Sequence, residues 1–336
     1  MGQDNDCGEC SYRAWAWRGG GEPGDLMLER VEMPELAPGQ VLVRNQVIGL
    51  NPVDWKVLAR SSEGDWRSGH VPGVDGAGTV IALGDDVPED WLGRRVAYHT
   101  NLASGLGSFA DYTPVAARAL MRVPDGLDMT VAASFPCPGL TAWQALDKLP
   151  FHEGARLLVS GAGGAVGNYL VQLAAARGFA VTAMCNPRHL DRLQSLGAQA
   201  CIVGPLPEGD VWPETEARRF FAVIDAVNAS HAARLVPALA ANGHVLCIQG
   251  RLEGWPAPPF GRALSMHEVA LGALHRHGSD ADWARLTQAG ERMLADLETG
   301  RLRPEPLSVA AFADLPRHLD TLKHRSFSGK PLIRIN

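Results

Sequence analysis

The segment Leu157-Leu158-Val159-Ser160-Gly161-Ala162-Gly163-Gly164-Ala165-Val166-Gly167 constrains the fold more than any other. A short apolar run ends in a glycine cluster. Helical spacing then runs from Val166 to Arg177 through Val166, Leu170, Leu173 and Ala174. A buried strand that turns sharply into a helix opens a βαβ unit, the context that a dinucleotide site demands. Glycines let the backbone approach a pyrophosphate, and the helix N-terminus offers free N–H groups and a positive dipole end. Gly161, Gly164 and Gly167 stand three apart, so the pattern departs from strict G-x-G-x-x-G. A tight turn without ligand is the alternative.

The segments after the loop alternate. Ala180 to Met184 reads as a strand and His189 to Leu196 as a helix ended by Gly197. Strands are expected at Cys201–Val203, Phe220–Ala226 and His244–Ile248, with a helix over His231–Ala241. This alternation predicts a parallel sheet with right-handed crossovers. Val269–His275 is a last strand candidate, and Ala281–Leu297 an amphipathic helix closed by Gly300. Upstream, Ala14–Trp17, Gln40–Ile48 and Gly76–Ala82 are short, β-rich and separated by Pro and Gly turns. Helical periodicity is nearly absent before about residue 128, which predicts a barrel-like β domain there. Thr141–Asp147 reads as a helix and Pro331–Ile335 as a strand returning to the β-rich part.

With 336 residues, the chain is long enough for two domains. Its net charge of −6 is spread out, with no basic block, which argues against nucleic acid. No apolar run is long enough to span a membrane, and the polar N-terminus lacks a signal core. Six cysteines without a disulfide framework fit a reducing cytoplasm. Cys7 and Cys10 form one C-x-x-C, but a zinc site needs about four ligands, so the pair reads as a polar tail.

The end of the second parallel strand discriminates between cofactors. An acidic residue there would bind the ribose 2′-hydroxyl of NAD and repel a 2′-phosphate. This chain has Cys185-Asn186-Pro187-Arg188, and no carboxylate until Asp191. Arg188 can pair with a phosphate, so NADP(H) is the expected cofactor.

Further motifs occur in a telling order. They are Asn51-Pro52-Val53-Asp54-Trp55-Lys56, Pro72-Gly73-Val74-Asp75-Gly76-Ala77-Gly78, Gly93-Arg94-Arg95-Val96-Ala97-Tyr98, and Gly107-Ser108-Phe109-Ala110-Asp111-Tyr112. Leu140-Thr141-Ala142-Trp143, the glycine loop and a closing Gly329-Lys330-Pro331-Leu332 complete the series. The chain resembles the medium-chain dehydrogenase/reductase superfamily, in its zinc-independent quinone oxidoreductase branch, from about Ala14 to Ile335. The resemblance implies an α/β fold: a GroES-like β-barrel catalytic domain, residues 1–135 and 301–336, with an inserted Rossmann domain, residues 136–300. It also implies a homodimer joined at the last Rossmann strands, which puts Val269–His275 at the interface.

Zinc-dependent relatives use thiolate and imidazole ligands around an open metal position. The first ligand position here resembles Asn51, and Val74-Asp75 stands in place of a His-Glu pair. The four-cysteine structural lobe is missing, so neither catalytic nor structural zinc is expected. The resemblance puts Asn51 and Thr141 near the nicotinamide, with Asp54, Trp55 and Lys56 on the turn after Asn51. Ile248, Gln249 and Gly250 match the strand end that passes the nicotinamide. Cys185, Asn186, Arg188 and Arg325 fall around the 2′-phosphate, and Lys330 reaches the cofactor cleft. Gly204 replaces a tyrosine that some relatives carry. His99 is a candidate for the substrate mouth, and Trp255 and His267 for a lid.

Without metal, the expected activity is hydride transfer from NADPH to quinones or other activated carbonyl acceptors. Enoyl or alkenal double-bond reduction is one alternative. A non-catalytic NADPH-binding protein is another.

Overall fold

The structure, a computed structural model, describes residues 11–60, 66–213, 219–325 and 329–335. Cys7 and Cys10 lie outside them. The chain divides into two compact units. One comprises Met1–Cys137, Leu274–Glu298 and Pro306–Asn336; the other comprises Pro138–Ala273 and Thr299–Glu305.

The first unit opens with β1 (Ser11–Trp17) paired antiparallel to β2 (Leu26–Glu32). Then come β3 (Gln40–Gly49), α1 (Pro52–Arg60), β4 (Asp75–Leu83), β5 (Arg95–His99), β6 (Tyr112–Ala116) and β7 (Leu120–Arg122). α1 is a helix in the stretch where helical periodicity reads as nearly absent and a β domain is expected. Pro52 suits its first turn, where an N–H would be unpartnered anyway. α2 (Met129–Ser134) and α3 (Pro136–Asp147) follow. α3 begins five residues before the predicted start, so Thr141 lies inside a helix rather than capping one.

The second unit runs β8 (Arg156–Ser160), α4 (Ala165–Ala176), β9 (Ala180–Cys185), α5 (Leu190–Ser195), β10 (Ala200–Val203), β11 (Phe220–Asp225), α6 (Ala229–Leu235), β12 (Leu239–Cys247) and β13 (Ser265–Glu268). The six strands form one parallel sheet in the order β10-β9-β8-β11-β12-β13. This is the doubly wound pattern. Leu158, Val223, Val245, Leu235 and Leu239 belong to its buried core. Two predictions fail here. The helix expected over 231–241 stops at Leu235, because Pro237 cannot continue it, and β12 begins at Leu239. The strand expected over 269–275 lies earlier, at β13. An apolar run alone could not tell strand from helix.

The chain returns through α7 (Ala273–His277), α8 (Asp280–Glu298), β14 (Leu307–Ala311), α9 (Leu315–Lys323) and β15 (Lys330–Arg334). α8 groups with the first unit, although the sequence reading put it in the 136–300 segment. Asp280 and Glu298 explain this: they accept hydrogen bonds from Arg118 and from the Gly126 N–H. β15 lies between β14 and β3 in a mixed sheet ordered β14-β15-β3-β4-β5-β7, with β6 also paired to β3. Ile48, Leu50, Phe109, Leu315 and Ile333 are among its buried core. Among the described residues no helix is long and apolar enough to cross a membrane.

Candidate active site

Two clusters gather most of the residues singled out above, one in each unit. In the first unit, Asn51 follows β3 and Asp75 opens β4; the antiparallel ladder pairs Gly49 with Asp75. The Asn51 Nδ2 donates to Asp75 Oδ2 at 2.8 Å and to the Gly49 carbonyl at 3.3 Å. Lys330 Nζ, at the start of β15, donates to Asn51 Oδ1 at 2.5 Å and to the Leu50 carbonyl at 2.9 Å. It stands 4.0 Å from Asp75 Oδ2. The Cys137 N–H donates to both Asp75 oxygens, at 3.1 and 2.9 Å. Asn51, Asp75 and Lys330 are all buried. Both ends of the Asn51 amide are therefore engaged inside the protein, and Lys330 fixes which end is oxygen.

Asp54 lies in the first turn of α1. Its Oδ2 accepts the Asn51 N–H at 2.7 Å, while its buried Oδ1 has no hydrogen bond. Burial pushes this carboxyl up to about 8, against the pull of the Asn51 N–H. Asp75 is pushed up to about 6 by burial, with Lys330 opposing. Trp55 and Lys56 stack on the same helix, Nζ 5.7 Å from the ring centroid. Burial, then Arg325 and Arg60, lowers the Lys56 ammonium pKa. Arg325 is exposed at the end of α9, with a left-handed φ of 50°.

Sequence reasoning named His99 but missed its partner. His99 closes β5 and pairs in register with Asp75 across the ladder. Its Nδ1 lies 3.3 Å from His275 Nε2 of α7, the rings stacked 5.6 Å apart.

In the second unit, the glycine loop joins β8 to α4. Gly161 has φ +69°, a region side chains rarely adopt. A Cβ on Gly167 would meet Ala162 Cα at 2.4 Å, so only glycine allows helix and loop to pack this closely. Gly164 is the N-cap of α4, and no side chain caps that end. The first N–H groups of a helix have no intrahelical partner. A Cβ on Gly164 would meet only the Gly161 carbonyl, at 3.7 Å. This open glycine cradle under an uncapped helix end, between Ala162-Gly163 and Ala165-Val166, fits a dinucleotide pyrophosphate.

β9 ends at buried Cys185. The Asn186 side chain accepts the Arg188 N–H at 3.2 Å, which fixes the turn. Arg188 is exposed and donates Nε–H to His189 Nε2 at 3.1 Å. A 2′-phosphate fits an exposed guanidinium with no neighbouring carboxylate on that turn. Two groups here escaped the sequence reading. Arg192 binds the Gly163 carbonyl at 2.7 Å and the Asn168 Oδ1, bracing the loop from α5. Ser160 Oγ donates to Asp225 Oδ2 at 2.6 Å, and His231 Nδ1 lies 2.5 Å from the same oxygen. His231 Nε2 accepts the Leu206 N–H at 3.0 Å, so the proton sits on Nδ1. Both groups bind one carboxylate, which makes the trio a brace between strand ends, not a nucleophile with its base. Ile248 donates its N–H to the Asp225 carbonyl, and Gln249 and Gly250 follow, Gly250 with φ 112°.

Comparisons agree with this architecture. Residues 37–125 match the alcohol dehydrogenase GroES-like domain. The chain is 32% identical to a chloroplast envelope quinone oxidoreductase homolog of Arabidopsis thaliana, over 68% of this chain and 72% of that protein. It is 29% identical to a trans-enoyl reductase of Thermothelomyces thermophilus, over 93% of this chain and 94% of that one. An alcohol dehydrogenase superfamily protein from Novosphingobium aromaticivorans superposes with a TM-score of 0.83 at 28% identity, covering 97% of this chain and all 100% of that one. The chain belongs to the medium-chain dehydrogenase/reductase superfamily, in its quinone oxidoreductase-like branch, and is an oxidoreductase enzyme.

Proposed function

We propose that the enzyme transfers hydride from NADPH to a quinone or another activated carbonyl acceptor. The observation that carries this reading is the buried Asn51–Asp75–Lys330 cluster. By the family resemblance Asn51 and Val74-Asp75 fall at positions where zinc-dependent relatives carry metal ligands, and here the Lys330 ammonium bonds Asn51 and stands 4.0 Å from Asp75. A cation already sits among those side chains, so their charge and donor set do not suit a divalent metal. The acceptor must then be electrophilic on its own.

Bound NADPH supplies the hydride. The chain's part is to bind, orient and exclude water. The N-terminus of α4 and the glycines of its loop bind the pyrophosphate. Arg188 binds the 2′-phosphate, and the turn at Cys185-Asn186 offers no carboxylate to repel it. Thr141, Ile248, Gln249 and Gly250 flank the nicotinamide. Asn51 holds its place through Lys330 and Asp75, with Asp54, Trp55 and Lys56 shaping the turn beyond it. Two copies joined along the unpaired side of β13 would form the homodimer, working in a reducing cytoplasm.

The test is NADPH or NADH consumption against a panel of benzoquinones, naphthoquinones and enones, with and without a chelator. The proposal expects faster turnover with NADPH, quinones among the substrates, and no effect of chelation. Turnover abolished by chelation would overturn it. A second reading, reduction of an activated C=C bond, is favoured by the trans-enoyl reductase relative, which matches along nearly its whole length. Enones consumed faster than every quinone would select it.

A further inference from the structure

An open cavity of about 480 Å³ lies in the first unit and shares no residue with either cluster above. One wall is the β1–β2 ribbon, and the other is β3 with β6. The ribbon sets Arg13 directly opposite Arg30, and the β3–β6 ladder sets Arg44 opposite Tyr112. All four residues line the cavity. Residues directly opposite in an antiparallel pair share a face, and like charges so placed weaken the ladder. The chain as a whole carries −6, so three guanidinium groups around one cavity run against its composition.

Among the described residues, Asp111 is the one carboxylate in the lining. It takes Arg13 in a fork, Nε to Oδ2 at 3.1 Å and Nη2 to Oδ1 at 2.9 Å. Arg30 donates from Nε and Nη2 to the Ser11 hydroxyl and carbonyl, at 3.0 Å each, and these oxygens carry no charge. Arg44 is exposed, and among the described residues its side chain makes no hydrogen bond or ion pair. The lining thus holds three positive charges against one negative, an excess of two. Tyr12 is 2% exposed yet lines the cavity, and its hydroxyl has no hydrogen-bond partner among the described residues. A buried hydroxyl left so costs stability. Burial, then Asp111, pushes its pKa up to about 12, so it keeps its proton and stands as a donor. The Tyr12 and Tyr112 rings meet edge to face, centroids 5.6 Å apart.

Guanidinium forks fit the oxygens of a carboxylate or of a phosphate. The charge excess selects between them, because a carboxylate brings one negative charge and a phosphate monoester nearly two at neutral pH. The volume is that of a small-molecule site, larger than bare phosphate fills. We infer that this cavity is a second ligand site, which takes the dianionic phosphate of a small organic monoester between Arg30 of the ribbon and Arg44 of the sheet, with the organic part against Tyr112. Five residues of β3, roughly 16 Å of strand, separate Arg44 from Gly49, so the site is distinct from the Asn51 cluster. An occupant ties the ribbon to the sheet and stabilises the first unit in proportion to its concentration.

Calorimetric titration of the whole enzyme with phenyl phosphate tests the site, with benzoate and inorganic phosphate as comparison ligands. Phenyl phosphate should saturate one site per chain with a Kd below about 1 mM. Benzoate and inorganic phosphate should each bind about tenfold more weakly or worse, the first for want of charge and the second for want of a ring. Arg44→Gln and Arg30→Gln should each raise the Kd about tenfold or more, and Arg44→Lys, which keeps the charge but not the fork, should fall between. Arg188→Ala should leave the Kd unchanged, since that residue belongs to the glycine-loop unit. No saturation at millimolar probe, benzoate or inorganic phosphate bound as tightly as phenyl phosphate, or a Kd that follows Arg188 and ignores Arg44 would each overturn the assignment. None of these outcomes depends on turnover, so the result stands apart from the hydride-transfer reading.

Discussion

Asn51 shows what one residue can and cannot disclose. Its place in the Asn-Pro-Val-Asp-Trp motif marks it in the sequence as a candidate site residue. Nothing in the sequence shows that Lys330, 279 positions later, holds its amide oxygen. That contact exists only because β15 returns beside β3. Lys330→Met should strip the hydrogen bonds to Asn51 and Leu50 and leave Asp75 buried beside no cation. Removing one partner of a buried pair costs about 3–5 kcal/mol, so a large drop in Tm is expected. Asp54 makes a pH prediction. Its folded pKa lies above that of the unfolded chain, so the folded state holds its proton more tightly. That stability is fully present below the ordinary carboxylate range and is lost as pH rises toward about 8. Asp54→Asn should flatten this slope in thermal melts from pH 4 to 8, and should gain several degrees at the alkaline end. Arg188→Ala should raise the Kd of NADPH about tenfold or more and leave that of NADH nearly unchanged; titration of each by fluorescence reads the difference.

At the scale of elements, the N-terminus of α4 separates stability from binding. Gly164→Asp adds a good N-cap and a negative charge to an uncapped helix end, which should raise Tm slightly. The same charge would face the pyrophosphate, so NADPH affinity should fall at least tenfold in the same protein. A loss of both would mean that the loop had simply unfolded. The βα alternation after residue 156 was legible because apolar runs, helical spacing and Gly197 mark each boundary. Local punctuation escaped the reading where it conflicted with spacing. Pro237 cuts the helix expected to reach residue 241, and Pro52 starts a helix in a stretch read as all strand. The brace of Ser160, Asp225 and His231 was hidden because its members come from β8, β11 and α6. Only the parallel register, which sets Asp225 beside Ser160, brings them together.

At the scale of the molecule, β13 is the edge of the six-stranded sheet. Sedimentation equilibrium should give twice the chain mass of 36.0 kDa if two copies join there. Met266→Asp on that strand should shift the equilibrium toward the single chain. The order of strands has a further consequence, for synthesis. β15, the last strand of the chain, fills a place between β3 and β14, and it carries the lysine that secures Asn51. The strands of the second unit, by contrast, are all encoded between residues 156 and 268. As the chain leaves the ribosome, the inserted unit can close its sheet while the first still waits for its final strand. The unit that opens with β1 is completed only after the inserted one, and a nascent chain stalled before residue 330 would hold a formed dinucleotide fold and an unsealed barrel.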